Sequence, residues 1–223
     1  MRRYLVPALL FVLFAGGTPA RADSARTWVS VNLQAGVAGP LRVQSETIVR
    51  STLQPGIYDV EQGTSLGYRF DKTFTYWIGY VYSPVHVVGH PLVRERRLRQ
   101  QVNVARIATL GPVRLSGRAR LETRWQEQAG GSSAWRLRPQ VRATLPLRGR
   151  LAINLSNETF LNLTTNQFQR AAGIERMRTG LTLSIPVVRN IGFDAGYVEQ
   201  HVFVRAGPDI DDHIGFVGFS ASF

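Results

Sequence analysis

The sequence predicts an all-β fold, a closed antiparallel transmembrane β-barrel of about twelve strands, with ten as the alternative, occupying residues 23–223. Three observations predict it. Apolar and polar residues alternate with a period of two in run after run. Several runs are longer than a soluble sheet needs. The connections between runs are short and long by turns, as in barrels with short periplasmic turns and longer external loops.

Val113 to Trp125, VRLSGRARLETRW, shows the pattern most fully. Val113, Leu115, Gly117, Ala119, Leu121, Thr123 and Trp125 form one row, and Arg114, Ser116, Arg118, Arg120, Glu122 and Arg124 form the other. In a strand these rows lie on opposite faces. At about 3.3 Å per residue the segment runs roughly 43 Å, enough to cross a membrane at a tilt with its charged row turned to a lumen. A soluble β-sandwich would instead have to point its aromatics into a shared core and leave about a dozen arginines on one solvated face.

The chain opens MRRYLVPALLFVLFAGGTPARADS. Arg2 and Arg3 precede an apolar stretch from Tyr4 to Ala15, and Ala20-Arg21-Ala22 has small residues at the spacing of a cleavage site. This is the pattern of an export signal over residues 1–22, and the apolar stretch is too short to span a bilayer as a helix. Removing it takes three arginines from a formal net charge of +12. A basic cytoplasmic chain would suggest nucleic acid, but export argues against that partner. Zero cysteines exclude a disulfide framework and thiolate metal sites.

The remaining elements follow in order. Val29, Val31 and Leu33 alternate with Ser30, Asn32 and Gln34, with Trp28 in the polar phase. Leu41 to Arg50 alternates next, then Leu66 to Phe70, then the aromatic row Phe74, Tyr76, Ile78, Tyr80 and Tyr82. Leu98, Val102 and Val104 oppose Arg97, Arg99, Gln101 and Asn103. After the longest run, Trp135 to Leu145 opposes Arg136, Arg138, Gln140, Arg142 and Thr144. Leu151 to Glu158, Met177 to Ile185, Ile191 to Tyr197 and Val217 to Phe223 complete the set. That makes eleven runs, but placing both termini on the periplasmic side requires an even number. A separate short strand at Ile57 to Glu61 would give twelve; a first run that does not cross would give ten. Tyr82, Trp125 and Trp135 fall at external strand ends and Phe70, Phe74, Phe193 and Phe223 at periplasmic ends, as two interfacial aromatic girdles would.

The order of LGYRF (Leu66 to Phe70), WIGYVY (Trp77 to Tyr82), RERRLRQQ (Arg94 to Gln101), GRARLETR (Gly117 to Arg124), WRLRPQ (Trp135 to Gln140), NETFLN (Asn157 to Asn162), RMRTGL (Arg176 to Leu181) and DAGYVEQ (Asp194 to Gln200), with Trp28 near the start, resembles the bacterial outer-membrane β-barrel family known as domain of unknown function 2490. The resemblance spreads over nearly all of residues 23–223. It implies a barrel in the outer membrane of a Gram-negative bacterium, and no activity. The end of the chain, with Phe219, Ala221 and Phe223 in phase, is similar to the signal read by the outer-membrane barrel insertion machinery.

The predicted lumen row is a charge ladder: Arg97, Arg99, Arg118, Arg120, Glu122, Arg124, Arg136, Arg138, Arg142, Glu158, Arg176 and Arg178. With an assumed register, Glu122 faces Arg99 and Arg138, and Glu158 lies near Arg142 and Arg176. Carboxylates taken from water need cationic partners, and guanidinium offers two donors at once. Arg97, Arg118, Arg120, Arg124, Arg136 and Arg178 then remain unpaired. Two readings follow: a ladder of ion pairs and waters plugging a small barrel, or a positive channel favouring anionic solutes. A third is a lipid hydrolase, in which His201 or His213 would serve a loop serine among Ser83, Ser132 and Ser133, although no motif links them. His86 and His90 are four apart, but Pro84, Gly89 and Pro91 argue against the helix a shared metal would need. No metal and no cofactor is expected. The expected partners are outer-membrane lipids including lipopolysaccharide, whose phosphates Arg94 and Arg96 could meet, and the insertion machinery.

Overall fold

Each alternating run of the sequence becomes a strand in the computed structural model, which describes residues 26–52, 56–86 and 89–223. The expected export signal, residues 1–22, lies outside the described residues. The strands are β1 (Arg26–Ala38), β2 (Leu41–Thr52), β3 (Ile57–Arg69), β4 (Phe74–Val85), β5 (Val93–Leu110), β6 (Val113–Gln126), β7 (Ser133–Pro146), β8 (Ala152–Asn162), β9 (Gly173–Val188), β10 (Ile191–Val202) and β11 (Ile210–Ser222). Among the described residues there is no α-helix, and a single 3-10 turn spans Glu127–Ala129.

Consecutive strands pair antiparallel in chain order, and β1 closes the barrel on β11. That closing pair is parallel, with Val29 opposite Val217 and Val31 opposite Phe219. The barrel therefore has eleven strands in place of the expected twelve, and one departure from the expected antiparallel order. Ile57 to Arg69 is one continuous strand of 13 residues, which removes the extra strand the parity argument required. The expectation that both termini share one end is corrected with it. β1 starts at the end that carries the long connections 86–92, 127–132, 163–172 and 203–209, whereas the chain finishes at the end that carries the short ones. At the seam Phe223 N–H donates to Gln34 O and Gly36 N–H to Phe223 O, each at 2.9 Å.

Local chemistry explains the tight ends. Asp71 Oδ1 accepts the N–H groups of Thr73 at 2.6 Å and Phe74 at 2.7 Å, a side-chain turn that fixes the β3–β4 reversal. Gly111 supplies the φ of 59° that the β5–β6 turn needs.

Burial is inverted relative to a soluble domain. Among the described residues eight apolar side chains are buried against twenty polar or charged ones. Leu66, Val141 and Leu181 are more than half exposed, and Glu122 is fully enclosed. The soluble sandwich needs the opposite arrangement. Of the residues expected in girdles, Tyr82, Trp125 and Trp135 sit near the long-loop ends of β4, β6 and β7, and Phe70, Phe74, Phe193 and Phe223 sit at the short-turn end. Phe193 packs against Phe219 with ring centroids 5.2 Å apart.

Candidate functional site

Strand phase sets which side chains enter the lumen, and the strand register sets how they meet there. Three alternating chains of charge result. In the first, Arg50 bonds Asp59 and also reaches Glu61 at 3.0 Å; Glu61 accepts from Arg97 at 3.1 Å; Arg97 bonds Glu95, which Arg124 meets at 2.8 Å. The second joins Arg118, Glu158, Arg138, Glu122 and Arg136, with contacts of 2.7, 3.1, 2.8 and 2.7 Å, and continues through Glu175 at 3.5 Å to Arg176. In the third, Glu46 on β2 crosses the interior to Arg99 at 2.7 Å and Arg120 at 3.1 Å. Every second group carries the opposite sign, so most charges removed from water find a partner.

Glu122 is the most completely enclosed of the carboxylates. Arg136 donates to it through Nε at 3.0 Å and Nη2 at 2.7 Å, and Arg138 through Nη1 at 2.8 Å. The expected pairing with Arg138 therefore holds. Arg99 lies opposite Glu122 in register but turns across the lumen to Glu46. Glu158 is corrected in both partners: Arg118 and Arg138 bind it, while Arg176 binds Glu175. Arg142 sits between Ser116 and Ser156 in register and makes no ion pair with a described residue; Asp194 shares the wall of its cavity. Of the six arginines expected to be unpaired, Arg97, Arg118, Arg120, Arg124 and Arg136 have carboxylate partners, and Arg178 alone has none among the described residues.

Glu46, Asp59, Glu61, Glu95 and Glu175 belong to the ladder although the sequence reading does not place them in it. The signal was present, because Glu46 and Arg50 share one phase, as do Glu95, Arg97 and Arg99. Pairing by adjacent strands does not reach Glu46, which bonds three and four strands away in chain order.

Aromatics also enter the lumen. Phe160, 2% exposed, has the guanidinium carbons of Arg138, Arg178, Arg136 and Arg176 at 4.2, 4.4, 5.2 and 5.6 Å from its ring centre. Trp28 lies 4.5 Å from Arg178 and 5.1 Å from Arg50. Ring faces attract these cations at a spacing where carboxylates are too few. Trp77 fills the short-turn half, and Gly67 must be glycine there because a Cβ would come 2.4 Å from the indole.

Open space in the lumen forms chambers in series. A cavity of about 230 Å³ occupies the long-loop half and one of about 320 Å³ the other half, with Trp28, Arg50, Arg138 and Arg178 in the wall of both. A third, of about 360 Å³, opens at the short-turn mouth beside Arg69 and Arg142.

Among the described residues no hydrogen bond joins His201 or His213 to Ser83, Ser132 or Ser133, and His213 Nδ1 bonds the Tyr197 hydroxyl. His201 Nδ1 meets Asp211 at 2.6 Å and its Nε2 meets Asp209 at 3.3 Å, so both ring nitrogens face carboxylates. Ser83 is buried and donates to Asp59 at 2.8 Å, Ser132 donates to Ala129 O at 2.9 Å, and Ser133 opens β7. Among the described residues no group of three or more His, Asp or Glu is placed to hold a metal. Arg94 and Arg96 both bond Glu127, at 3.2 and 2.7 Å, on the outer surface.

An apolar exterior around a charge-paired interior defines a closed, polar-cored β-barrel. The chain belongs to the family described as protein of unknown function (DUF2490), whose sequence profile matches residues 25–211. It is also similar to an uncharacterised protein of Methylorubrum extorquens strain AM1, 27% identical over 211 residues that cover 91% of this chain and 90% of that protein. No solved structure matches it.

Proposed function

We propose that the protein is an integral outer-membrane β-barrel of a Gram-negative bacterium, exported by a cleaved signal at residues 1–22, whose ion-paired lumen makes it a structural or interaction barrel rather than an open pore. Inverted burial carries the reading. A continuous apolar exterior is costly in water and favourable in lipid, and lipid tolerates only a sheet without open edges. The two levels of outward aromatics suit the two interfaces of a bilayer. Phe219, Ala221 and Phe223, in phase at the end of the chain, suit recognition by the barrel insertion machinery. Outer-membrane lipids, lipopolysaccharide among them, are the partners such a surface meets.

Arginines outnumber carboxylates in the walls of both lumen chambers, and this favours a second reading, a small channel passing anions. Fractionation of cells, with unheated and boiled samples compared by gel mobility, tests the first part: the barrel reading expects membrane recovery and a mobility shift on boiling, and a soluble periplasmic monomer would reject it. Planar-bilayer recording tests the second. The plugged barrel gives no steady conductance, whereas anion-selective steps would favour the channel.

A further inference from the structure

Arg178 on β9 is held unlike the other lumen arginines. Its Nε donates to Gln200 Oε1 at 2.7 Å. Gln200 is itself fixed, donating from Nε2 to Asp212 Oδ2 at 2.7 Å, and Asp212 pairs with Arg26 at 2.8 Å. Gln200 and Asp212 are 3% and 1% exposed, so this support is buried. The ring centres of Trp28 and Phe160 lie 4.5 and 4.4 Å from the Arg178 guanidinium carbon. Its plane and one nitrogen are thereby set before anything binds. The two terminal nitrogens make no hydrogen bond to a described residue, and the side chain lines both lumen cavities.

Those terminal nitrogens carry four N–H donors in a planar fork. Such a fork matches the paired oxygens of a carboxylate or a phosphate, and a partner fixed in advance loses little freedom on binding. The surroundings favour a negative visitor. Arg50 and Arg138 share the same two cavity walls, and the long-loop chamber is lined by eight arginines against three carboxylates. Wall-to-wall pairing satisfies Arg50 through Asp59 and Glu61, and Arg138 through Glu122 and Glu158, but leaves Arg178 resting on two ring faces. Glu158 lies opposite Arg178 in register but gives its two oxygens to Arg118 and Arg138, so the Arg178 fork has no direct carboxylate contact for an incoming anion to displace.

We propose that the Arg178 fork is a binding site for a small oxyanion, a carboxylate or a phosphate, at the partition between the two chambers. The proposal rests on the lumen being the enclosed interior of the barrel described above.

The test uses the full chain folded in detergent micelles, first shown to shift on boiling. Calorimetric titration with sodium phosphate, and separately with sodium acetate, is run with ionic strength held constant by sodium chloride. Saturable binding of either anion at about one per barrel is expected. Phosphate alone would point to a phosphate-bearing solute, acetate alone to a carboxylic acid, and both to the shared oxyanion chemistry. Arg178→Gln should weaken binding by roughly tenfold or more, and Arg178→Lys, which keeps the charge and loses the fork, by several-fold. Arg69→Gln, which lines the short-turn mouth and neither of the two chambers beside Arg178, should bind as the parent does. No saturable signal up to roughly 50 mM of either anion overturns the site. So does unchanged binding in a folded Arg178→Lys or Arg178→Gln barrel, or loss confined to Arg69→Gln. A chain that never shows the boiling shift fails the barrel reading; a shifting barrel that ignores both anions fails this site alone.

Discussion

At the scale of residues, the lumen is held by groups whose partners cannot be removed one at a time without consequence. Glu122 accepts three N–H bonds from Arg136 and Arg138 with none of its side chain exposed. Glu122→Gln keeps the shape but leaves two guanidinium groups short of a charge, and breaking one side of a buried pair costs about 3–5 kcal/mol. A clearly lower melting temperature in detergent is expected. Glu127, about one third exposed on the outer surface, meets Arg94 and Arg96 in solvent, so Glu127→Gln should cost no more than about 1 kcal/mol. Equal melting of the two variants would refute the buried role of Glu122. Gly67→Ala is expected to destabilise by about 1–3 kcal/mol, since its methyl would enter the Trp77 indole. Melting of Gly67→Ala at the parent temperature would contradict that contact. The row to which each charge belongs was legible in the sequence, because phase alone decides it. The partners were not, because long guanidinium side chains cross the lumen and the deciding distances depend on closure of the whole sheet. Glu46 to Arg120 is a contact no local pattern predicts.

At the scale of elements, the eleven alternating runs of the sequence are the eleven strands. What failed was an added constraint, the even count taken from barrels whose termini share an end. Nothing in the period of a strand tells its direction against a partner that lies the full length of the chain away. The β1–β11 seam is accordingly the element most in need of a direct test. The chain contains no cysteine, so an engineered pair reports without background. Val31→Cys with Phe219→Cys places both thiols on the outer face at opposed positions of the parallel pair. Mild oxidation should link them within one chain and alter mobility on a boiled, non-reducing gel. Val31→Cys with Val217→Cys, two residues out of register, should link poorly. The reverse preference would mean that the seam has another register or direction.

At the scale of the whole molecule, the strand order and its inverted burial define a closed polar-cored barrel, and the proposed membrane location follows from what surrounds it. An apolar exterior interrupted by few charges would aggregate in water if it were not covered. The fold class was legible because period-two alternation over long runs is itself a statement about two different environments on the two faces of a sheet. The lumen's chambers were not legible, because they are what remains after arginine, glutamate and the aromatics Trp28, Trp77 and Phe160 have packed from opposite walls.

In a membrane-spanning barrel the two rows of β6 meet lipid and lumen respectively. Single cysteines at Leu115, Ser116, Arg118, Ala119 and Leu121, each carrying a nitroxide spin label in reconstituted vesicles, test it directly. Collision with dissolved oxygen, which concentrates in lipid, should exceed collision with a polar nickel complex at Leu115, Ala119 and Leu121. At Ser116 and Arg118, which line the chamber that opens at the short-turn mouth, oxygen collision should not exceed collision with the nickel complex, giving an oscillation with a period of two. High accessibility to the nickel complex at Leu115, Ala119 and Leu121 would place that row in water and contradict a lipid-facing exterior.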